Sequence, residues 1–327
     1  MMSTFAPGHS LVLADTTDMP RDEWLARRRN GIGGSDAAAL CGLSRWQSRL
    51  EVWAEKTGVM GELERETEAM RWGTLLEGVV RQEVAERTGV DIRPLHWLLA
   101  HPDRPWQQAN VDGLACVDVN DLGIYEGKTS GTFAADEWAH DEVPDQYVLQ
   151  GQHYLAVTGL PWVLYGVLIG GQRLEVRKVD RDEELIEDLT RIEEQFWHDH
   201  VEAGIPPEPD GSKACTDLMG KLWDAKAGSV LTVDPDEVAD LIGERALAIE
   251  EETAAGERRA AAENRLKALL GEHEEARSPA GRKLFTWKAQ ERRGLDTKAL
   301  EAVHPELVAE FTTTTSHRRL YVPKAVA

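Results

Sequence analysis

Cysteine is scarce in this chain. Cys41, Cys116 and Cys215 are the only three in 327 residues. An odd, widely spaced set builds no disulfide framework, and no pair has metal-site spacing. The expectation is a reducing compartment, the cytoplasm. Cations are also short. Lys and Arg number 37 against 58 Asp and Glu, giving a net charge of −21. Such a chain repels itself and repels polyanions. Any nucleic-acid contact therefore needs a local basic patch or bound cations. The opening "MMSTFAPGHSLVLADTTDMP" lacks a basic n-region and a sustained apolar stretch, so no signal peptide is expected. No apolar run is long enough to span a bilayer. A Walker loop, a nucleophile elbow, a dinucleotide fingerprint and internal repeats are all missing. Tyr and Phe number five each beside 11 Trp, a bias without a physical explanation.

What is present reads as alternating helices and strands. A helix begins near Pro20 and runs through "RDEWLARRRN". "GIGGSD" breaks it and opens a short helix stopped at Gly42. Ser48 and Glu51 have capping-box spacing for a helix closed by Gly58. A longer helix, "TEAMRWGTLLEGVVRQEVAERTG", places Met70, Leu76, Val80 and Val84 at helical spacing. Three strands follow, "VDIRPLHWLLA", "QQANVDGLACVDV" and "LGIYEGKTS", with Asn120–Gly123 as the last turn. Then come a helix, "PDQYVLQGQHYLAVTG", a hairpin around Gly170-Gly171 and a long acidic helix. This order predicts an α/β domain over residues 1–210. "GIPPEPDGSK" reads as a linker. Residues 211–327 are predicted to be an accessory region. It has a long helix, Pro235 to Gly271, with a thin apolar stripe, a helix "DTKALEAVHPELVAEF", and short strands "RKLFTWKAQ" and "RRLYVPK".

The stretch that bears chemistry is "YEGKTS". On a strand, Glu126 and Lys128 point to one face. By itself Glu-x-Lys is an ordinary ion pair, and Asp296-Thr297-Lys298 repeats the spacing at a helix start. Asp112 changes the weighing. If "QQANVDG" pairs antiparallel with "GIYEGKTS" through the turn, Asp112 and Glu126 end near one another. Two carboxylates beside a lysine suit Mg²⁺, which takes oxygen ligands and keeps several waters. The lysine then offsets charge on a transferring phosphate.

Asp112…Glu126-Gly127-Lys128 resembles the core of the PD-(D/E)XK nucleases. Together with "GGSDAAALCGLSRW", "RWGTLLEGVVRQE" and "VPDQYVLQGQHYLAVTG", it resembles the YqaJ-type viral recombinase family, which includes the phage lambda-type exonucleases. The resemblance covers residues 20 to 205. It implies a restriction-endonuclease-like core, a mixed central sheet flanked by helices. It also implies a Mg²⁺-dependent exonuclease, with Mn²⁺ as a substitute, that digests linear double-stranded DNA from the 5′ end. The 3′ overhang would pass to a single-strand annealing protein, and a ring-shaped homo-oligomer would enclose the DNA. A phage or prophage origin is implied, and no membrane is involved. Residue by residue, Asp112 and Glu126 would be direct metal ligands, helped by the Gly127 carbonyl. Glu77 would bind directly or through water. Lys128 would be catalytic base or electrostatic stabiliser, with Gln150 beside it. Arg28 and Ser35 would recognise the 5′-terminal phosphate.

Each reading has a plainer rival. Glu77 is otherwise a solvated helix carboxylate, and Gln150 part of a polar helix face. Arg21, Arg27, Arg28, Arg29, Arg45 and Arg49 form the only basic concentration before the strands, although any one arginine is more ordinarily solvated. Trp46 is expected in the core rather than as an apolar wedge for DNA ends. His198 and His200 face apart on a helix, and His140 and His153 lack partners at ligand spacing. The C-terminal Arg318, Arg319 and Lys324 offer a DNA contact. Two alternatives stand beside the exonuclease. One is a structure-specific or single-strand nuclease of the same superfamily. The other is a non-enzymatic acidic adaptor acting through its C-terminal helix.

Overall fold

The computed structural model describes residues 7–59, 67–118, 120–222, 226, 228–291, 293–313 and 320–323. The chain forms two compact units, residues 1–223 and 224–327. Among the described residues, no helix is long and apolar enough to cross a membrane.

The first unit is α/β, with a mixed central sheet flanked by helices. Its chain order is β1 (Leu11–Asp15), α1 (Arg21–Arg28), α2 (Gly34–Leu40), α3 (Arg49–Thr57), α4 (Glu68–Thr88), β2 (Asp91–Pro94), β3 (Trp97–Ala100), β4 (Gln108–Ala109), β5 (Gly113–Asp118) and β6 (Asp121–Ser130). A 3-10 helix (Thr132–Asp141), α5 (Asp145–Thr158), β7 (Trp162–Ile169), β8 (Arg173–Asp180), α6 (Glu183–Phe196), a π-helical turn (Trp197–Glu202) and α7 (Lys213–Leu222) complete it. The central sheet runs β2-β5-β6-β7-β8. Only β6 and β7 are parallel, and α5 lies in the crossover between them. A small sheet, β1-β3-β4, stands apart.

The alternation along β6 builds two cores. Ile124 is buried with Leu155, Val163 and Tyr165 on the α5 side. Tyr125 is buried with Val80, Val84 and Trp162 on the α4 side. α4 starts at Thr67, whose hydroxyl accepts from the Met70 amide at 3.2 Å, and ends at Gly89 with φ 72°. Gly166 lets it lie close, since a Cβ there would stand 2.5 Å from Val84 Cγ2. Ser48 and Glu51 form the expected capping box.

Several readings of the first unit need correction. The expected first and second strands are each split between sheets. Trp97–Ala100 and Gln108–Ala109 join β1, whereas Asp91–Pro94 and Gly113–Asp118 join the central sheet. The last turn is tighter than Asn120–Gly123, because Asp118 already pairs with Asp121. Trp46 is not in the core; it is 77% exposed. β1 and α7 were not expected at all. α7 is fastened by Cys215 and Leu218, which are buried with Trp53 and Phe196.

The second unit contains α8 (Pro235–Leu270), the hairpin β9 (Glu275–Arg277) and β10 (Lys283–Thr286), α9 (Thr297–Val303) and α10 (Pro305–Phe311). One helix was expected where α9 and α10 stand. Pro305 disfavours helical backbone at the residue before it, and His304 turns the chain at φ −135°, ψ 63°. Of "RRLYVPK", Leu320–Pro323 form no strand. Arg318, Arg319 and Lys324 lie outside the described residues.

Candidate active site

The site sits where two strands part. The β5–β6 ladder ends at the pair Gly113–Tyr125, while β6 continues beside β7 to Ser130. This bares the edge of β6 at Glu126–Lys128. Asp112 closes the gap, its Oδ2 accepting the Gly127 amide at 2.8 Å. A side-chain carboxylate thus takes the place of the next ladder carbonyl. Gly127 keeps the space open: a Cβ would stand 3.3 Å from the Tyr125 hydroxyl and 3.6 Å from Asp112 Oδ2.

On the α5 face, Lys128 Nζ donates to Glu126 Oε1 at 2.8 Å and to Gln150 Oε1 at 3.0 Å. Gln150 Nε2 donates to the same Glu126 oxygen at 2.9 Å and to the Tyr154 hydroxyl at 2.9 Å. Lys128 Nζ also lies 4.9 Å from the Tyr147 ring centre. Glu126 is 3% exposed, and its Oε2 is buried with no hydrogen-bond partner among the described residues. Leaving such an oxygen bare is expensive unless something binds it.

The electrostatics agree. Burial, then the charge of Asp112, pushes the Glu126 carboxyl up to about 8. Burial also raises Asp112, against the pull of Lys128. Glu77 on α4 is raised by burial and by Asp112, and its Oε1 meets Arg81 Nη1 at 3.4 Å. Burial works to lower Lys128, but Glu126 and Asp112 outweigh it and the ammonium is held above its usual value. The charge of Asp112 thus raises both Glu126 and Glu77, which ties the three carboxyls together electrostatically.

Among the described residues, no three His, Cys, Asp or Glu side chains gather closely enough to hold a metal ion by themselves. Two carboxylates and a backbone carbonyl still match the sparse ligand set of Mg²⁺. The bare Glu126 Oε2 and the raised carboxyls of Glu126, Asp112 and Glu77 fit a hard cation.

A cavity of about 150 Å³ holds the second group of candidates. Arg28, Ser35, Trp24, Gln108, Asn110 and Tyr154 line it. Arg28 Nη2 donates to Ser35 Oγ at 2.8 Å, and the guanidinium Cζ lies 4.7 Å from the Trp24 ring centre. Trp24 Nε1 is fixed by Asn110 Oδ1 at 2.8 Å. Beneath lies a buried ion pair, Lys56 Nζ to Asp36 Oδ2 at 2.7 Å. Lys56 also donates to the Arg28 carbonyl at 3.2 Å, and Asp36 accepts the Gly33 amide at 2.9 Å. Tyr154 belongs to both groups, so α5 connects the cavity to Lys128.

Three other arginines of the basic concentration have neighbours within the fold. Arg27 pairs with Glu23 at 2.8 Å, Arg45 with Glu137 at 2.6 Å, and Arg49 lies over Phe196. His153 is fully buried, with Nδ1 2.7 Å from Glu193 Oε1 and Nε2 2.8 Å from the Gln108 carbonyl. The sequence reading missed Tyr147, Tyr154, Lys56 and Asp36. Tyr147 and Tyr154 lie three residues before and four after Gln150, one helix face, and that spacing was the available signal.

Residues 23–161 match the sequence profile of the YqaJ-like viral recombinase domain. The uncharacterized protein YqaJ of Bacillus subtilis (strain 168) is 39% identical over 214 residues. That match covers 65% of this chain and 66% of the relative, so the chain spans about two thirds of the relative's length. An alkaline exonuclease, LHK-Exo, from Laribacter hongkongensis is 25% identical, over 56% of this chain and 94% of that one, with a TM-score of 0.48. The structure of LHK-Exo in complex with dAMP gives 26% identity, the same coverage and a TM-score of 0.49.

Proposed function

This chain belongs to the YqaJ-like viral recombinase family, and we propose that its first unit is a Mg²⁺-dependent exonuclease acting on linear double-stranded DNA. Digestion runs 5′ to 3′ and leaves 3′ overhangs that a single-strand annealing protein uses in recombination. The observation that carries this reading is the bare, buried Glu126 Oε2 beside Asp112, with Lys128 held on the same strand face.

Asp112, Glu126 and the Gly127 carbonyl are the residues that would hold the ion, with Glu77 binding it directly or through water. When bound, the ion polarises a phosphate oxygen and lowers the pKa of water. Lys128 keeps its proton and stabilises charge building on the phosphate. Gln150 holds Lys128 and Glu126 in one geometry. Arg28 and Ser35 take the 5′-terminal phosphate, where a guanidinium and a hydroxyl give charge-assisted contacts.

Gel digestion with Mg²⁺ tests this. The substrates are linear duplexes with 5′-phosphate or 5′-hydroxyl ends and closed circles. The 5′-phosphorylated duplex is consumed, circles survive, and Lys128→Ala is inactive while still folded. If circles are cut, or if Lys128→Ala remains active, the reading is wrong.

A further inference from the structure

One polar side chain of the Arg28 cavity makes no hydrogen bond. Gln108 lines this cavity of about 150 Å³ together with Arg28 and Ser35. It is 5% exposed, and its Oε1 is buried with no partner among the described residues. Nor does any described residue accept from its Nε2. Its neighbours in the cavity are engaged: Arg28 bonds to Ser35, Trp24 to Asn110, and Tyr154 to Gln150. Burying an amide without a partner costs stability, and an apolar side chain of the same shape avoids that cost.

The fold nevertheless builds a place for this amide. The backbone of Gln108 is clamped from both sides. Its N–H donates to the Ile32 carbonyl at 2.8 Å, and its carbonyl lies 2.8 Å from His153 Nε2. The side chain occupies a slot cut into the loop between α1 and α2, the loop that joins Arg28 to Ser35. Gly31 opens that slot, because a Cβ there would stand 2.6 Å from Gln108 Cδ. Gly34, at the start of α2, admits Tyr154 in the same way, with a Cβ 2.5 Å from its Cε1. A costly group held this firmly beside a guanidinium and a hydroxyl is matched to something that enters the cavity. The choice of side chain narrows what that is. A lysine in the slot would repel Arg28, and a carboxylate would take Arg28 for itself. A neutral amide adds a donor while leaving the guanidinium free for an anion.

We propose that Gln108 is a phosphate-contacting residue of this cavity, its Nε2 donating to the 5′-terminal phosphate beside Arg28 and Ser35. Phosphate oxygens accept, so the Nε2–H is the end of the amide that meets them. Gln108 gives up no protein partner to make this bond, in contrast to Arg28 and Ser35, which are bonded to each other. It therefore adds to the discrimination between phosphate and hydroxyl ends as a group separate from the guanidinium. The inference rests on the 5′-phosphate reading of the cavity, and its test separates failure of the one from failure of the other.

The test is binding by the full chain at low salt in EDTA, where hydrolysis plays no part. Two hairpin duplexes, each labelled in its loop, differ only in carrying a 5′-phosphate or a 5′-hydroxyl at the open end. Fluorescence anisotropy gives the ratio of their Kd values. Gln108→Leu keeps the size of the side chain and removes both amide atoms. It narrows the ratio about tenfold, the worth of one hydrogen bond to a charged group. Its thermal midpoint without DNA is equal to or above that of wild type, because the orphaned oxygen is gone. Gln108→Glu sets a carboxylate in the phosphate's place and abolishes the preference. If Arg28→Ala narrows the ratio while Gln108→Leu leaves it at the wild-type value, this inference is overturned and the cavity reading stands. A Gln108→Leu chain that melts lower with an unchanged ratio would assign the residue to packing alone. A wild-type ratio of one that Arg28→Ala does not move would overturn both.

Discussion

Replacing Glu126 by Gln in the metal-free chain tests the candidate metal site without measuring catalysis. With the carboxyl at about 8, roughly nine in ten Glu126 side chains carry a proton at pH 7. Binding an ion at Glu126 and Asp112 must expel that proton, because a ligating carboxylate is ionised. Calorimetric titration with Mg²⁺ in buffers of different ionisation enthalpy counts the protons released. Wild type gives roughly one per ion at pH 7, falling toward zero near pH 9, and affinity rises about tenfold per pH unit below 8. Glu126→Gln binds more weakly and loses this component, leaving only what Asp112 contributes. The stability of the metal-free chain carries the same sign. A carboxyl raised from 4.5 to about 8 on folding adds stability below pH 4.5, and that stability is lost as pH rises through 8. The loss is several kcal/mol, on the order of 3–5. Thermal melts of wild type therefore fall from pH 5 to pH 9 without metal, and Glu126→Gln flattens the fall. Wild type and Glu126→Gln releasing equal protons, or melting with the same pH slope, would refute the assignment.

Three further outcomes follow from the geometry. Arg28→Ala removes the cation from the cavity and narrows the preference for 5′-phosphate over 5′-hydroxyl ends about tenfold or more, read as the ratio of initial rates. Gly166→Ala forces a Cβ to within 2.5 Å of Val84 Cγ2 and lifts α4 from the sheet. Denaturant unfolding shows a loss of about 1–3 kcal/mol. Lys56→Met strips the buried Asp36 of its partner and costs about 3–5 kcal/mol in the same assay, whereas charge-preserving Lys56→Arg loses less only if it fits.

Local chemistry was legible in the sequence where a short period carried it. Glu126 and Lys128 were placed on one face by the two-residue repeat of a strand, and they share it with a hydrogen bond between them. Ser48 and Glu51 announced a helix start by spacing alone. The breaks were harder to read. "QQANVDGLACVDV" is apolar enough for one strand, and it splits because Asp112 bonds to Gly127, fifteen residues away. Such a partner has no signature in the strand itself. Trp46 was misplaced for a related reason. Its indole favours a core, but whether a core lies above a loop is decided by the packing of distant elements. α7 escaped notice although Cys215, Leu218, Met219 and Leu222 recur at helical spacing, because it follows directly on the Pro- and Gly-rich stretch read as a linker.

The parting of β5 from β6 also governs which changes in chain length this protein tolerates. One residue inserted between the Gly113–Tyr125 pair and Glu126 would exchange the faces of β6. Glu126 and Lys128 would then be driven into the α4 core, and Tyr125's neighbour would face Gln150. The same insertion at the hairpin tip, between Asp118 and Asp121, would leave every pair below it in phase. Length variation among related chains should therefore collect at the tip and be purged from the four residues after Ile124. A parity constraint of this kind protects the site even where individual side chains drift.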